Sequence, residues 1–278
     1  MTQPSTINQQ PATSLLLIGC GNMGSALLKI WRVKTGILAM PIRVVEPNAV
    51  ESHPNVSWAK QISELPENFL PDIIVLAVKP NQLEEILPPL FQKFGNRSIY
   101  LSIAAGKPIS FYEQHLGKEA PVVRAMPNTP AAMAKGATGL IGNAALTQAG
   151  RDRVSGLVEA TGLALWVDNE SLMDTVTAIS GSGPAYFFHM IECMIASGVS
   201  HGLSKEDATE LAIQTCIGSG EMAQQGHTIN KDVAELRRNV TSPGGTTAAA
   251  LAVFEKNNAL QNLIEEAVAA AINRAKEL

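Results

Sequence analysis

Two hydrophobic patterns alternate along the first part of the chain. Short continuous runs of Val, Ile and Leu alternate with longer stretches in which apolar residues recur at helical spacing. The runs predict strands buried on both faces, and the alternation predicts an α/β domain with a doubly wound parallel sheet and right-handed crossovers. We predict strands at Ser14–Gly19, Ile42–Glu46, Asp72–Val78, Ser98–Ile103, Val122–Ala125, Gly136–Asn143 and Leu163–Asp168, and helices at Asn22–Val33, Leu83–Phe94 and Ala149–Thr161.

After Asp168 the β-rich runs disappear and the pattern becomes helical. The predicted helices are Pro184–His201, Ser204–Gln225, Lys231–Arg238, Thr246–Lys256 and Ala259–Glu277. Their many Ala, Gly and Ser residues allow close packing, either within a self-contained bundle or against a second subunit. We therefore predict a loose polar leader at residues 1–14, an α/β domain at 15–168 and an all-α domain at 169–278.

Composition narrows the class of protein. The net charge of −4 and the pI near 5.8 give no field that would attract a nucleic acid. The three cysteines are too scattered for a disulfide framework or a zinc site, so we expect reduced thiols and no metal. The leader lacks the basic start and apolar stretch of a signal peptide, and no apolar run approaches the roughly 20 residues that span a bilayer. We expect a soluble, cytoplasmic protein with no membrane or nucleic-acid partner.

A glycine motif, G-x-G-x-x-G, follows the first predicted strand and opens the first predicted helix. In this context Gly19 permits a tight turn, Gly21 lets the backbone approach a pyrophosphate, and Gly24 lets the helix pack on the strand. Asn22 and Met23 begin the helix, whose N-terminal amides favour an anion. We predict a dinucleotide site here; the alternative is a purely structural strand–helix turn.

Glu46 ends the second predicted strand. An acid there can accept hydrogen bonds from the adenosine ribose and repel a 2′-phosphate, and no Arg or Lys lies between Glu46 and Glu51 to hold that phosphate. The sequence therefore favours NADH over NADPH. The alternative is a solvent-facing Glu46, with the phosphate held elsewhere.

A second segment, Ala77-Val78-Lys79-Pro80, ends the strand Asp72–Val78. In a doubly wound sheet the ligand lies outside the carboxyl ends of the strands, so these residues are placed to line the dinucleotide. Lys79 can meet a phosphate or a carboxylate. Alternatively, Pro80 simply ends the strand and Lys79 is solvated.

Four further segments are rich in residues that shape the backbone: IAAG at 103–106, RAMPNTP at 124–130, SGSGPAY at 180–186 and SPGGTT at 242–247. Together with GCGNMG and AVKP, they resemble the signature segments of pyrroline-5-carboxylate reductases, in order and spacing, from Leu15 to the C-terminus. The resemblance implies an N-terminal Rossmann domain and a C-terminal helical domain that exchanges helices in a homodimer, with larger homo-oligomers open. It also implies reduction of L-1-pyrroline-5-carboxylate to L-proline, the final step of proline biosynthesis, with NADPH or NADH.

The segment Ser242–Thr247 precedes a predicted helix, where free amides and hydroxyls can bind a carboxylate. By resemblance, Ser242, Gly245, Thr246 and Thr247 hold the carboxylate of the imino acid. The Thr247 hydroxyl can also hydrogen-bond the ring nitrogen and pass it a proton. The alternative for this segment is a helix N-cap after a Pro-Gly-Gly turn.

Other residues of the signature segments are predicted to border the nicotinamide or the bound substrate ring. Met126, Pro127 and Asn128 follow a strand on the ligand edge, where they can border the nicotinamide, and the amide of Asn128 can pair with that of the cofactor. The prolines can instead simply fix a loop. Ser180 can face the bound ring, although helix capping would also explain it.

Two rival functions remain. A β-hydroxyacid dehydrogenase shares the glycine motif and a helical second domain, but needs a lysine that Gly181–Cys193 lacks. A non-catalytic dinucleotide-binding regulator would not need the SPGGTT and RAMPNTP segments. None of the five histidines falls within a signature segment. An imine can be reduced without a histidine as general acid, because its nitrogen is basic enough to arrive protonated.

Overall fold

The computed structural model describes residues 13–33, 42–48 and 55–277. The chain divides into two compact units: the first runs to Gly181 and takes in the chain from Ile272, and the second is Ser182–Ala271. This division falls later than the predicted boundary at Asp168, which stays a prediction. Residues 1–12 of the predicted leader lie outside the described part, whereas Thr13 and Ser14 are buried.

The first unit is built on an eight-stranded sheet with the order β3-β2-β1-β4-β5-β6-β7-β8. Its order reverses beside β1, the feature that places ligands at the carboxyl ends of the strands in doubly wound folds. The strands are β1 (Leu15–Ile18), β2 (Ile42–Val45), β3 (Val56–Ala59), β4 (Ile73–Leu76), β5 (Ile99–Ser102), β6 (Val122–Met126), β7 (Gly136–Gly142) and β8 (Gly162–Trp166).

Alternate residues of each central strand enter two separate cores. Leu15 and Leu17 of β1 pack on one face of the sheet, and Leu16 and Ile18 on the other. All four are at most 2% exposed. Burial on both faces explains the continuous apolar runs. The helices of this unit are α1 (Asn22–Trp31), α2 (Leu83–Phe94), α3 (Ile109–Leu116), α4 (Gln148–Glu159) and α5 (Leu172–Val176).

The sheet is mainly parallel, as predicted, with one antiparallel pair. Strand β7 runs antiparallel to β6, and all other pairs are parallel. The connection from Met126 to Gly136 is shorter than the dozen or so residues that a parallel crossover requires, so the chain must turn back. It contains only a short 3₁₀ helix, Thr129–Met133.

The second unit is all-helical. It contains α6 (Gly183–Ser200), α7 (Lys205–Thr228), α8 (Val233–Asn239), α9 (Thr246–Glu255) and most of α10 (Ala259–Ala275). Within this unit the buried hydrophobic residues are small, Ala208 and Ala212, whereas Phe187 is 65% exposed and Leu263 62%. Among the helices in the described part of the chain, none has the length and apolar character needed to cross a bilayer.

Candidate active site

The glycine turn joins β1 to α1 as the motif predicts. Gly19 has a φ of +85°, and a Cβ there would lie 2.8 Å from the Ala77 carbonyl oxygen. A Cβ on Gly24 would lie 2.7 Å from the Gly19 oxygen, so α1 packs tightly on the strand. A Cβ on Gly21 would meet no atom of the described residues within 4 Å. Gly21 therefore faces open space, where its missing side chain leaves room for a ligand against the backbone.

The N-terminus of α1 offers an anion its free amides. Gly21 is the N-cap and accepts the amide of Ser25, and no side chain of the described residues caps this helix. Gly21 and Asn22 are exposed, and Met23 is half-buried. The dipole and the uncapped amides together fit a pyrophosphate.

A cavity of about 420 Å³ extends from this turn along the carboxyl ends of β1, β2 and β4. It brings together Gly19, Gly21, Glu46, Ala77, Val78 and Lys79. Pro80 begins a short 3₁₀ helix, Pro80–Gln82, directly after Lys79, which is exposed. The order reversal, the cavity and the glycine turn coincide, and these residues fit a dinucleotide.

Glu46 lies in this cavity with its carboxylate held in place. Its Oε2 accepts the Cys20 amide at 2.9 Å, and its Oε1 accepts the Asn48 amide at 3.2 Å. A carboxylate has about four acceptor positions, so two remain for ribose hydroxyls. The side chain is thus fixed in an orientation that suits the predicted contact.

Lys60 lines the same cavity and was missed in the sequence. It follows β3, a partly exposed edge strand that the apolar pattern did not indicate. Once β3 is known, its carboxyl end predicts a ligand-facing residue at Lys60. The cavity is therefore lined by two lysines, Lys60 and Lys79, as well as by Glu46.

A second, smaller cleft lies at the carboxyl ends of β5 and β6. It is lined by Ala104, Ala105, Gly106, Arg124, Met126 and Thr177. Met126 therefore lies where the sequence predicts it, at the ligand edge, whereas Pro127 is buried. Arg124 was not among the predicted site residues.

Asn128 is buried and joins two other segments of the first unit. Its Nδ2 donates to the Ser180 carbonyl oxygen at 2.9 Å, and its Oδ1 accepts the Ala137 amide at 2.9 Å. The Ser180 hydroxyl donates to the Val176 carbonyl oxygen at 2.9 Å. Asn128 and Ser180 thus hold the backbone in place, and their contacts with nicotinamide and substrate stay predictions.

Replacing Asn128 by Ala is expected to lower the free energy of unfolding by about 1–3 kcal/mol, because the Ala137 amide and the Ser180 carbonyl lose their partner. Chemical denaturation measures the change. Replacing exposed Asn22 by Ala is the control and should change stability by no more than about 0.5 kcal/mol. Equal stability of the Asn128 variant and the wild type would contradict this structural role.

In the second unit, Ser242–Gly245 turns directly into α9. Gly244 has a φ of +69°, Gly245 is the N-cap, and the Gly245 amide donates to the Ser242 carbonyl oxygen at 3.0 Å. No side chain in the described part of the chain caps α9, and Ser242, Thr246 and Thr247 are exposed. This turn therefore presents backbone amides and hydroxyls together at a helix N-terminus.

Comparisons with known proteins find family matches in both the N-terminal and the C-terminal part of the chain. A family described as pyrroline-5-carboxylate reductase dimerisation matches residues 170–278, and one described as NADP oxidoreductase, coenzyme F420-dependent, matches residues 14–106. The chain is 40% identical to the pyrroline-5-carboxylate reductase of Pseudomonas aeruginosa, covering 95% of this chain and 96% of that protein. The chain belongs to the pyrroline-5-carboxylate reductase family. The resemblance seen in the signature segments is confirmed.

Solved structures of this family have the same fold. The pyrroline-5-carboxylate reductase of Coxiella burnetii superposes with a TM-score of 0.86 at 34% identity, covering 96% of this chain and 98% of that one. The Plasmodium falciparum pyrroline carboxylate reductase, solved with NADP bound, gives a TM-score of 0.79 at 32% identity, covering 95% and 97%. The Rossmann and helical parts of the predicted fold are confirmed.

Proposed function

We propose that this chain reduces L-1-pyrroline-5-carboxylate to L-proline, the last step of proline biosynthesis, with NADH or NADPH as the reductant. The observation that carries the proposal is the uncapped, exposed start of α9 after Ser242–Gly245. Exposed amides of this kind suit a carboxylate, and the same chain carries a dinucleotide-type glycine turn. The family membership supports the same reaction.

The N-terminus of α9 binds the substrate carboxylate. Its first amides have no intrahelical partners, and the helix dipole adds partial positive charge. Ser242 and Thr246 add hydroxyl donors, and Gly245 leaves the backbone accessible because it lacks a side chain. Binding the carboxylate holds the ring of the imino acid in one orientation.

Reduction of a C=N bond adds a hydride to carbon and a proton to nitrogen. When bound, NAD(P)H supplies the hydride. The Thr247 hydroxyl donates a hydrogen bond to the neutral ring nitrogen and passes it a proton as the hydride reaches the carbon, and exposed Thr247 regains that proton from water. Orientation of this kind contributes about 7–11 kcal/mol in well-aligned reactions, so no histidine is needed.

The test is direct. NADH or NADPH absorbance should fall when pyrroline-5-carboxylate is added to the purified full-length protein, and L-proline should accumulate in equal amount. L-Proline in place of the substrate is the control and should cause no fall. If the protein oxidises a β-hydroxy acid but leaves pyrroline-5-carboxylate unchanged, the rival dehydrogenase function replaces the proposal.

For the cofactor, we propose a preference for NADH that rests on Glu46. Replacing Glu46 by Gln keeps an acceptor for the Cys20 amide but removes the negative charge that repels a 2′-phosphate. The ratio of kcat/KM with NADPH to that with NADH should rise about tenfold, equivalent to about 1.4 kcal/mol. Steady-state kinetics with both cofactors measures this ratio.

Lys60 provides the opposing control. Because Lys60 is a positively charged residue that lines the same cavity, replacing it by Ala should lower the same ratio. Replacing Lys118, which lies in the turn after α3, by Ala should leave the ratio of kcat/KM with NADPH to that with NADH unchanged. A wild-type protein that works far better with NADPH would contradict the preference for NADH.

We also propose that the chain forms a homodimer through its second unit, with larger homo-oligomers built from such dimers. Apolar side chains of this unit are more than half exposed in one chain, among them Phe187, Phe188 and Val253. Exposed apolar surface of this extent is typical of protein interfaces. Analytical ultracentrifugation that finds a stable monomer at micromolar concentration would exclude the dimer.

We place the reaction in the cytoplasm. Within the described part of the chain neither Cys193 nor Cys216 forms a disulfide, as is usual in a reducing compartment. Cell fractionation with an antibody against the chain tests this location.

A further inference from the structure

One carboxylate joins three segments of the first unit beside the smaller cleft. Glu170, from the loop before α5, forms a salt bridge with Arg124 of β6. The same Glu170 oxygen accepts the amide of Ile109 at 2.8 Å, at the start of α3. The Arg124 side chain is only 14% exposed, so solvent screens this pair less than a surface pair. Glu170 therefore links the ligand end of β6 to the segment that leads into α3.

A second set of polar contacts holds the other end of that segment. Ser102, the last residue of β5, pairs with Arg124 in the sheet register, and its hydroxyl lies 2.6 Å from that of Tyr112. The Ser102 oxygen also accepts the Ala104 amide at 3.2 Å. Burial raises the pKa of Tyr112, so its hydroxyl stays protonated and available for this contact.

Between these contacts runs the loop Ala104–Pro108. Ala104, Ala105 and Gly106 line the smaller cleft together with Arg124 and Met126. The first three have no polar side chains of their own, so the loop depends on its two ends for position. The cleft lies at the carboxyl ends of the strands, where ligands bind in this type of sheet.

We propose that the Arg124–Glu170 pair positions the nicotinamide end of the cofactor, through the loop Ala104–Gly106 and Met126. This inference rests on the proposed function. Arg124 and Glu170 are positioning residues: they fix the groups that border the ring and take no part in hydride or proton transfer. A pair that served only the fold would affect stability and would not distinguish one end of the dinucleotide from the other.

The test compares a whole cofactor with one that lacks its nicotinamide. Replacing Glu170 by Gln removes the charge but leaves an oxygen that can accept the Ile109 amide. Titration calorimetry on the full-length protein should show NADH bound about tenfold more weakly and ADP-ribose bound equally well. The kcat for pyrroline-5-carboxylate should fall by up to about 10²-fold, as expected for a misplaced reacting group.

The matched control is a second part-buried salt bridge among the described residues of this unit, Arg153 to Asp72, at 2.6 Å. Asp72 immediately precedes β4, so this pair lies at the amino end of the strands, opposite the cleft. Replacing Asp72 by Asn should lower the melting temperature while leaving the ratio of NADH to ADP-ribose affinity unchanged.

Arg124→Lys is the second variant; it keeps the charge but not the forked donor geometry, and should weaken NADH selectively as well. If Glu170→Gln does not fold, Arg124→Lys alone tests whether the salt bridge positions the nicotinamide end. Equal loss of NADH and ADP-ribose affinity in the variants that fold would overturn the proposal. A wild-type protein that binds NADH but leaves pyrroline-5-carboxylate unreduced would refute the proposed function alone, since the affinity ratio would still be measurable.

Discussion

Replacing Thr247 by Ala is expected to lower kcat for pyrroline-5-carboxylate reduction by about 10²–10³-fold, the range for loss of one proton donor. Thr247 lies in the first turn of α9 and is exposed. Its hydroxyl is the group that we place against the ring nitrogen. Stopped-flow or steady-state kinetics with saturating cofactor measures the change, and affinity for NADH should stay the same.

Two variants separate chemistry from folding in this prediction. Thr247→Ser keeps the hydroxyl and should recover most of the rate. Thr209→Ala removes a comparable helical threonine in α7, whose hydroxyl donates to the Lys205 carbonyl oxygen at 2.7 Å, and should leave kcat unchanged. If Thr247→Ala turns over at the wild-type rate, Thr247 has no catalytic role and water or the substrate itself supplies the proton.

Replacing Gly21 by Ala is expected to weaken NADH binding about 10²-fold, equivalent to about 2.7 kcal/mol. The added methyl group meets no atom within 4 Å in the part of the chain that the structure describes, so it enters the space in which the pyrophosphate would approach the backbone. Stability should change by no more than about 1 kcal/mol, the effect of Ala at an N-cap. Calorimetric titration and thermal denaturation measure the two quantities separately.

Gly24→Ala is the matched comparison, because it should lower stability more than it lowers affinity for NADH. Its methyl group would lie 2.7 Å from the Gly19 oxygen, so the helix must shift. Overpacking of this kind costs about 1–3 kcal/mol of stability, with cofactor affinity falling only as the turn moves. A Gly21→Ala protein that binds NADH normally would place the pyrophosphate away from this turn.

Much of the fold follows from patterns in the sequence. Central strands such as β1 and β4 are buried on both faces, so their apolar runs are unbroken, and the predicted helix Leu83–Phe94 has the bounds of α2. The pattern fails at the edge: β3 contains Ser57 and is only partly buried, so its apolar signal is weak. The direction of β7 depends on the length of a connection rather than on hydrophobicity.

The candidate site was predictable where backbone geometry needs special residues. The positive φ of Gly19 and the close packing at Gly24 leave a direct trace in the sequence. Lys60 and Glu170 leave none, because a charged residue in a loop or strand end looks the same whether it faces a cavity or water. Arg124 begins the signature segment RAMPNTP, but the sequence does not indicate its partner. Only the register of β5 with β6 and the path of the chain before α5 bring Arg124 to Glu170.

The sparse interior of the helical unit has a consequence for the cell. Because a single chain buries mainly small residues such as Ala208 and Ala212 there, the stability of that unit depends on association and, by mass action, on concentration. At low expression, more chains would lack a partner and would present apolar surface to chaperones and proteases. The amount of active enzyme would then fall more steeply than the rate of synthesis.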